Sequence, residues 1–178
     1  RPVQRRTARR GTGKYGRPVK TAVDTNVLLD VLAGDEEARA AATDDLTEAA
    51  RAGALTISPI TYAELAVAFA EPTDLARSLE DLHLEVEVFS TQSLLLAANA
   101  WRAYARHCGQ GAQYPRCGNQ FGPRCPECGA NVRQRQHIIS DFLIGGHAQA
   151  QADVLFTRDR GYFSRYFPGI SVQALGGE

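Results

Sequence analysis

The sequence predicts an α/β fold in three layers, α/β/α, around a parallel sheet, with a small Cys-rich zinc-binding insert. Three observations carry this reading. Short apolar runs of strand length alternate with longer Ala/Leu-rich segments of helical period, and strands that alternate with helices pair in parallel beneath helices on both faces. The composition is that of a globular chain, with 44% hydrophobic and 22% charged residues in 178. Periodicity breaks once, over residues 107–135, and all four cysteines fall inside that break.

Residues 1–18 mix Arg, Gly, Thr and Pro without a hydrophobic period, and are expected to form a disordered basic tail or a non-native extension. The chain holds no methionine, and Val19 would open a natural protein start if read from a GTG codon. Residues 20–23, followed by Asp24-Thr25-Asn26 and the apolar run 27–32, read as a buried strand turning into a helix. The Ala- and Glu-rich stretch from Asp35 to Ala52, stopped by Gly53, is a second helix. The β-branched run Leu55–Ile60 carries a second strand, stopped by Pro59. Thr61 then caps a helix, with Glu64 at capping-box spacing.

Residues 73–83 form an amphipathic helix after Pro72, and the alternation Leu84-Glu85-Val86-Glu87-Val88 makes a third strand with one wet face. A long helix covers Thr91 to Arg106, and helical pattern resumes from His137 through Gln151. Val154–Thr157 is a strand, Gly161–Phe167 a short helix and Ile170–Leu175 a last strand.

The formal net charge is zero, yet residues 1–20 carry eight basic side chains and no acid, whereas residues 21–106 carry five basic and fifteen acidic ones. An acidic body with basic appendages suits a body that holds cations and appendages that meet something anionic. No stretch approaches the roughly 20 unbroken apolar residues a membrane span needs. No membrane partner is therefore expected. A collagen and a wholly disordered chain are excluded by composition.

Ligands of open parallel sheets bind beyond the carboxyl ends of the strands. Asp24 follows the first strand, Glu64 lies just past the second, Asp141 opens the helix leading into the fourth, and Asp159 comes two residues after that strand. Singly, each has a bland reading as a helix-dipole or turn carboxylate. Together they are harder to dismiss. Asp24 and Asp141 are embedded in apolar runs that contain no Lys or Arg, and a buried carboxylate needs a partner. One shared divalent cation would satisfy all four. Asn26 and Thr157 are candidates to orient a metal water or a substrate phosphate, or else make strand-end hydrogen bonds.

The series Asp24-Thr25-Asn26, Tyr62-Ala63-Glu64-Leu65, Ser140-Asp141-Phe142-Leu143-Ile144 and Thr157-Arg158-Asp159-Arg160-Gly161-Tyr162-Phe163, closed by Tyr166-Phe167-Pro168-Gly169-Ile170, resembles the PIN-domain family. More narrowly it is similar to the VapC-like toxin ribonucleases of bacterial type II toxin–antitoxin pairs. The resemblance covers residues 20–106 and 136–175, with the motifs in the family's order. It implies a PIN-like nuclease domain over residues 19–178, Mg²⁺ or Mn²⁺ held by Asp24, Glu64, Asp141 and Asp159, an RNA substrate, a small antitoxin partner and a homodimer. Hard oxygen ligands suit Mg²⁺, which keeps several waters and binds phosphate oxygens.

The insert, residues 107–135, departs from that family pattern. Its cysteines run Cys108-x8-Cys117-x7-Cys125-x2-Cys128, and Cys125-Pro126-Glu127-Cys128-Gly129 is a zinc-knuckle sequence whose short spacing aims two thiolates at one ion. Four thiolates suffice for a closed structural Zn²⁺, with His107 able to replace Cys108; a redox pair or an iron site is the competing reading. A local cluster of this kind reads as a metal site in a reducing cytoplasm. Arg116, Arg124, Arg133 and Arg135 either grip RNA phosphates or keep a loop in solution. His83, His137 and His147 read as structural, and Trp101 as core.

The resulting expectation is a cytoplasmic, metal-dependent endoribonuclease with a structural zinc insert. An RNA-maturation nuclease of the same fold and a catalytically silent zinc-containing RNA-binding module are the alternatives.

Overall fold

The structure, a computed structural model, describes residues 18–107, 112–113, 120–121, 127, 129, 139–159 and 161–174. A five-stranded sheet forms the middle layer, every pairing parallel, from β1 (Val19–Val23), β2 (Gly53–Ile57), β3 (Leu84–Val86), β6 (Val154–Thr157) and β7 (Ser171–Ala174), in the order β3-β2-β1-β6-β7. Two further strands, β4 (Ala112–Gln113) and β5 (Gln120–Phe121), pair antiparallel on their own. Helices α1 (Thr25–Ala33), α2 (Glu36–Ala52), α3 (Pro59–Ala66) and α4 (Pro72–Asp81) belong to one apolar layer. Helices α5 (Thr91–His107), α6 (Ile139–Gln151) and α7 (Tyr162–Tyr166) belong to the other.

The period-2 alternation of strands explains why both layers are fed by the same strands. Ala22 faces the α5–α6 side and its neighbour Val23 the α1–α4 side; Leu155 and Phe156 divide in the same way. Leu55 and Ile57, two apart, share the α1–α4 side with Val27, Leu28, Leu65 and Leu75. The central strands β1, β2 and β6 are buried over most of their length and read as apolar runs. Among the described residues no helix is long and apolar enough to cross a membrane.

Most predicted elements lie where the pattern puts them, with two differences that matter for the site. The sequence gives the second strand residues 55–60 and makes Thr61 the next cap. In the structure β2 ends at Ile57, Ser58 is the cap and accepts from the Thr61 N–H at 3.1 Å, and Pro59 sits at the first helical position. Proline is suited to that position because its missing N–H is one the helix could not have bonded anyway. Glu64 therefore lies in the second turn of α3. The third strand ends at Val86, two residues earlier than expected.

Helices α5 and α6 run antiparallel in close contact: Ser93 and Ala97 meet Gly146, while Trp101 and Tyr104 meet Phe142. A Cβ on Gly146 would stand 2.4 Å from the Ser93 carbonyl oxygen and 3.0 Å from the Ala97 Cβ. Backbone cannot yield there as a side-chain tip would. Gly146→Ala is expected to destabilise the fold by about 1–3 kcal/mol through overpacking, even though alanine is the better helix former. Urea unfolding checks this: the midpoint should fall with the slope unchanged. Trp101 packs half-buried against this core with its ring centroid 5.0 Å from that of Phe142, as expected for a core residue. The side chain of His147 is buried in α6, its Nε2 3.5 Å from Glu87, and burial holds its pKa below the ordinary value.

Candidate active site

Strand order reverses between β1 and β6: the chain steps outward from β1 through β2 to β3, and on the other side from β6 to β7. Such a switch point leaves a crevice beyond the strand ends. Asp24 is the residue after β1, and Thr157 and Asp159 lie at and just beyond the end of β6. Helix α3 follows β2 and so starts at the same edge, bringing Glu64. Helix α6 leads into β6 and must begin at that edge to run back along the sheet, bringing Asp141 in its first turn.

A cavity of about 300 Å³ occupies this crevice, lined by Asp24, Thr25, Asn26, Leu29, Glu64, Asp141, Ile144, Asp159, Tyr162 and Phe163. The four carboxylates singled out in the sequence thus come from four elements into one cavity. Asn26 lines it too, while Thr157 sits fully buried behind Asp24. Among the described residues lining it there is no Lys or Arg.

Asp24 is only 6% exposed and caps α1. Its Oδ1 accepts the Thr25 N–H at 2.7 Å; its Oδ2 accepts the Asn26 side-chain amide at 2.7 Å and the Thr157 hydroxyl at 2.6 Å. Burial pushes its pKa up from 3.8 to about 6, against the pull of the hydrogen bonds from Thr157 and Thr25 and with a further push from the Asp141 and Glu64 carboxylates. The Tyr162 phenol is driven up as well, chiefly by burial and then by Asp141.

Two threonines tie these acids together. The Thr25 hydroxyl donates to Glu64 Oε2, so one residue holds Asp24 through its backbone and Glu64 through its side chain. Thr157, besides donating to Asp24, accepts the Asp159 N–H at 3.1 Å. Asp159 Oδ1 in turn accepts the Gly161 and Tyr162 N–H groups at 2.9 and 2.6 Å. Asn26 Oδ1 accepts the Arg158 N–H at 3.0 Å, which fastens α1 to the end of β6. Sequence reasoning missed Thr25 as a link between two acids. Its signal was only adjacency to Asp24. The apolar lining of Leu29, Ile144 and Phe163 was missed as well, because helical spacing marks such residues as core.

The donor set is all oxygen, which suits a hard divalent cation. A cation there would offset both the burial of Asp24 and the repulsion it feels from Asp141 and Glu64. Among the described residues no three carboxylate, imidazole or thiol groups converge as a ready-made cage. The hydrogen bonds explain this, since Asp24, Glu64 and Asp159 are each turned onto local N–H or O–H donors. Mg²⁺ is commonly held through one or two carboxylates and its own waters, so the residues fit it without an all-protein cage. Cys108, Cys117, Cys125 and Cys128, the expected zinc ligands, lie outside the described residues, as do His137 and the four insert arginines.

The family model described as PIN domain matches residues 21–167. Among solved structures, the chain is similar to VapBC2 from Rickettsia felis bound to a DNA fragment from its promoter, at 16% identity and a TM-score of 0.56, covering 88% of this chain and 98% of that one. It is similar to a toxin–antitoxin complex from Klebsiella pneumoniae at 20% identity and a TM-score of 0.54, covering 84% and 94%. It is also similar to VapBC-1 from nontypeable Haemophilus influenzae at 18% and 0.53, covering 87% and 97%. At such identities the likeness speaks for the fold. Among curated proteins none matches the chain.

Proposed function

Because the chain belongs to the PIN domain family, whose members are nucleases and generally use divalent metal ions, we propose that it is a metal-dependent endoribonuclease and the toxin of a toxin–antitoxin pair. The observation that carries this reading is the convergence of Asp24, Glu64, Asp141 and Asp159, from four elements, on one cavity at the switch point of the sheet. The toxin–antitoxin complexes among structures of similar fold support a small antitoxin protein as partner. The resemblance supports a homodimer, and the cysteine spacing a structural Zn²⁺ at Cys108, Cys117, Cys125 and Cys128.

Asp24, Glu64, Asp141 and Asp159 would hold Mg²⁺ or Mn²⁺, which when bound supplies Lewis-acid polarisation of the phosphoryl group and offsets the charge that grows on its oxygens. Thr25, Thr157 and Asn26 keep the carboxylates from swinging away, so little reorganisation is left for the reaction itself. The Gly161 and Tyr162 amides hold the Asp159 carboxylate in place beyond the end of β6. Leu29, Ile144 and Phe163 give the cavity an apolar wall that limits bulk water around the phosphate and strengthens each charge interaction inside.

Incubating a labelled total-RNA pool, and a DNA pool beside it, with the protein in Mg²⁺, Mn²⁺ or EDTA tests the reading. RNA cutting is expected with either cation and none with EDTA. Asp141→Asn is expected to lower the rate by about a hundredfold or more, since even outer-shell partners of metal ligands are worth about 10–100-fold. Cutting that persists in EDTA, or a folded protein that cuts no RNA with either cation, would remove the proposal.

A further inference from the structure

Four carboxylates on an acidic body repel a polyanion, and a bound divalent ion answers only at the reacting phosphate. Arg158 stands between two site residues, Thr157 and Asp159, and is fixed at both ends. Its backbone N–H donates to Asn26 Oδ1 at 3.0 Å, and its Nη1 donates to Asp30 Oδ1 at 2.8 Å. Asn26 and Asp30 are one turn apart on α1, so one helix face holds both the main chain and the guanidinium. The pair is lopsided: Asp30 is 13% exposed and Arg158 55%. Arg158 puts one nitrogen of a five-donor fork on Asp30 while its side chain stays more than half exposed. As a stabilising contact an ion pair this exposed is worth little. It does hold the guanidinium against α1, the helix whose Asn26 and Leu29 line the cavity, and a pre-set planar fork loses less freedom when it grips a phosphate in two-pronged fashion.

We propose that Arg158, positioned by Asp30 and Asn26, binds a backbone phosphate of the RNA strand next to the one being cut. The assignment rests on the endoribonuclease reading and adds to it a substrate-gripping residue that is not a metal ligand. Arg158 acts on how tightly the strand is held, and the acids act on its cleavage.

Equilibrium binding of a fluorescent single-stranded RNA oligonucleotide in Mg²⁺, read by anisotropy on the uncleaving Asp141→Asn protein, tests it alongside steady-state cleavage in the parent. Arg158→Ala is expected to weaken binding about tenfold at low salt and to make the plot of log affinity against log salt shallower by about 0.7, the value of one phosphate contact on a single strand. The loss in cleavage should fall mainly on KM. Arg158→Lys should recover part of the affinity, since lysine keeps the charge without the fork. Arg51→Ala serves as the charge control: Arg51 is in the last turn of α2, directly before β2 and hence at the opposite edge of the sheet, and its loss should change affinity less than twofold. Equal losses for Arg158→Ala and Arg51→Ala, or an unchanged salt slope, would overturn the assignment and leave the nuclease standing. A parent that cuts no RNA and a folded uncleaving protein that binds none would overturn both.

Discussion

Replacing Asp24 with Asn is expected to abolish cleavage and, in the metal-free protein, to raise the melting temperature at neutral pH. The two effects share one cause. Burial pushes the Asp24 pKa from 3.8 to about 6, so the folded state holds this proton more tightly than the unfolded chain does. For a group whose folded pKa is raised, the stabilising contribution is complete below 3.8 and is lost as pH climbs through about 6. At pH 7.5 the ionised carboxylate therefore burdens the metal-free fold by about 3 kcal/mol.

Asparagine carries no charge and sheds most of that burden. It returns part of the gain, because its amide would face the Asn26 amide now bonded to Asp24 Oδ2. A net gain of about 1–2 kcal/mol corresponds to several degrees in a chain of this size. Melting curves in EDTA at pH 7.5 and pH 4.5 check the sign: the variant should melt higher at the first and close to the parent at the second. Mg²⁺ should raise the parent's midpoint and leave the variant's nearly unmoved. A variant that melts lower than the parent in EDTA at pH 7.5 would mean that the hydrogen bonds of Asp24 outweigh its burial.

Truncating Phe142 to Ala is expected to cost the fold about 3–5 kcal/mol, the range for emptying a fully buried aromatic site. Phe142 is completely buried and touches Trp101, Tyr104, Tyr162, Tyr166 and Phe167, edge-on or tilted. No neighbouring element can collapse into the gap without moving several rings. That loss is a large share of the 5–15 kcal/mol that holds an ordinary domain together. The effect should reach the chemistry as well, because Phe142 follows Asp141 in the chain and supports Tyr162 in the cavity wall. Phe142→Leu keeps most of the volume and should lose less than half as much. Urea unfolding measures the first effect, and kcat well below the melting range the second. Unchanged kcat in a folded Phe142→Ala protein would show that Asp141 is placed by α6 alone.

The four acids were legible because each stands near a fixed point of the βα repeat, just beyond a strand or within the first two turns of a helix, and parallel topology puts all such points on one edge. What joins them was not legible. Thr157 donates to an oxygen 133 residues away in the chain, and no local pattern announces a partner at that distance. The start of α3 misled for a different reason: Thr61 and Glu64 imitate a capping box, while Pro59, a strand-breaker by ordinary reading, occupies the first helical position after Ser58. Leu29 and Ile144 carry the apolar spacing of any packed helix, and only the crevice beside them turns that spacing into a cavity wall. The cysteine spacing remains a statement about sequence.

The antiparallel clasp of α5 and α6 has a consequence for how this chain tolerates change. Contacts from Ser93 to Tyr104 on one helix and from Phe142 to Gly146 on the other hold the pair together along its length. The end of α5 and the start of α6 are therefore brought near each other whatever number of residues separates them. The entropy of closing a connection between two anchored ends grows only with the logarithm of its length, about 0.6 kcal/mol for each doubling. The joint between His107 and Ile139 is thus a point where the domain can accept added sequence at little cost to its stability. Because α6 begins two residues before Asp141, whatever is added there is tethered beside the sheet edge that bears the four carboxylates.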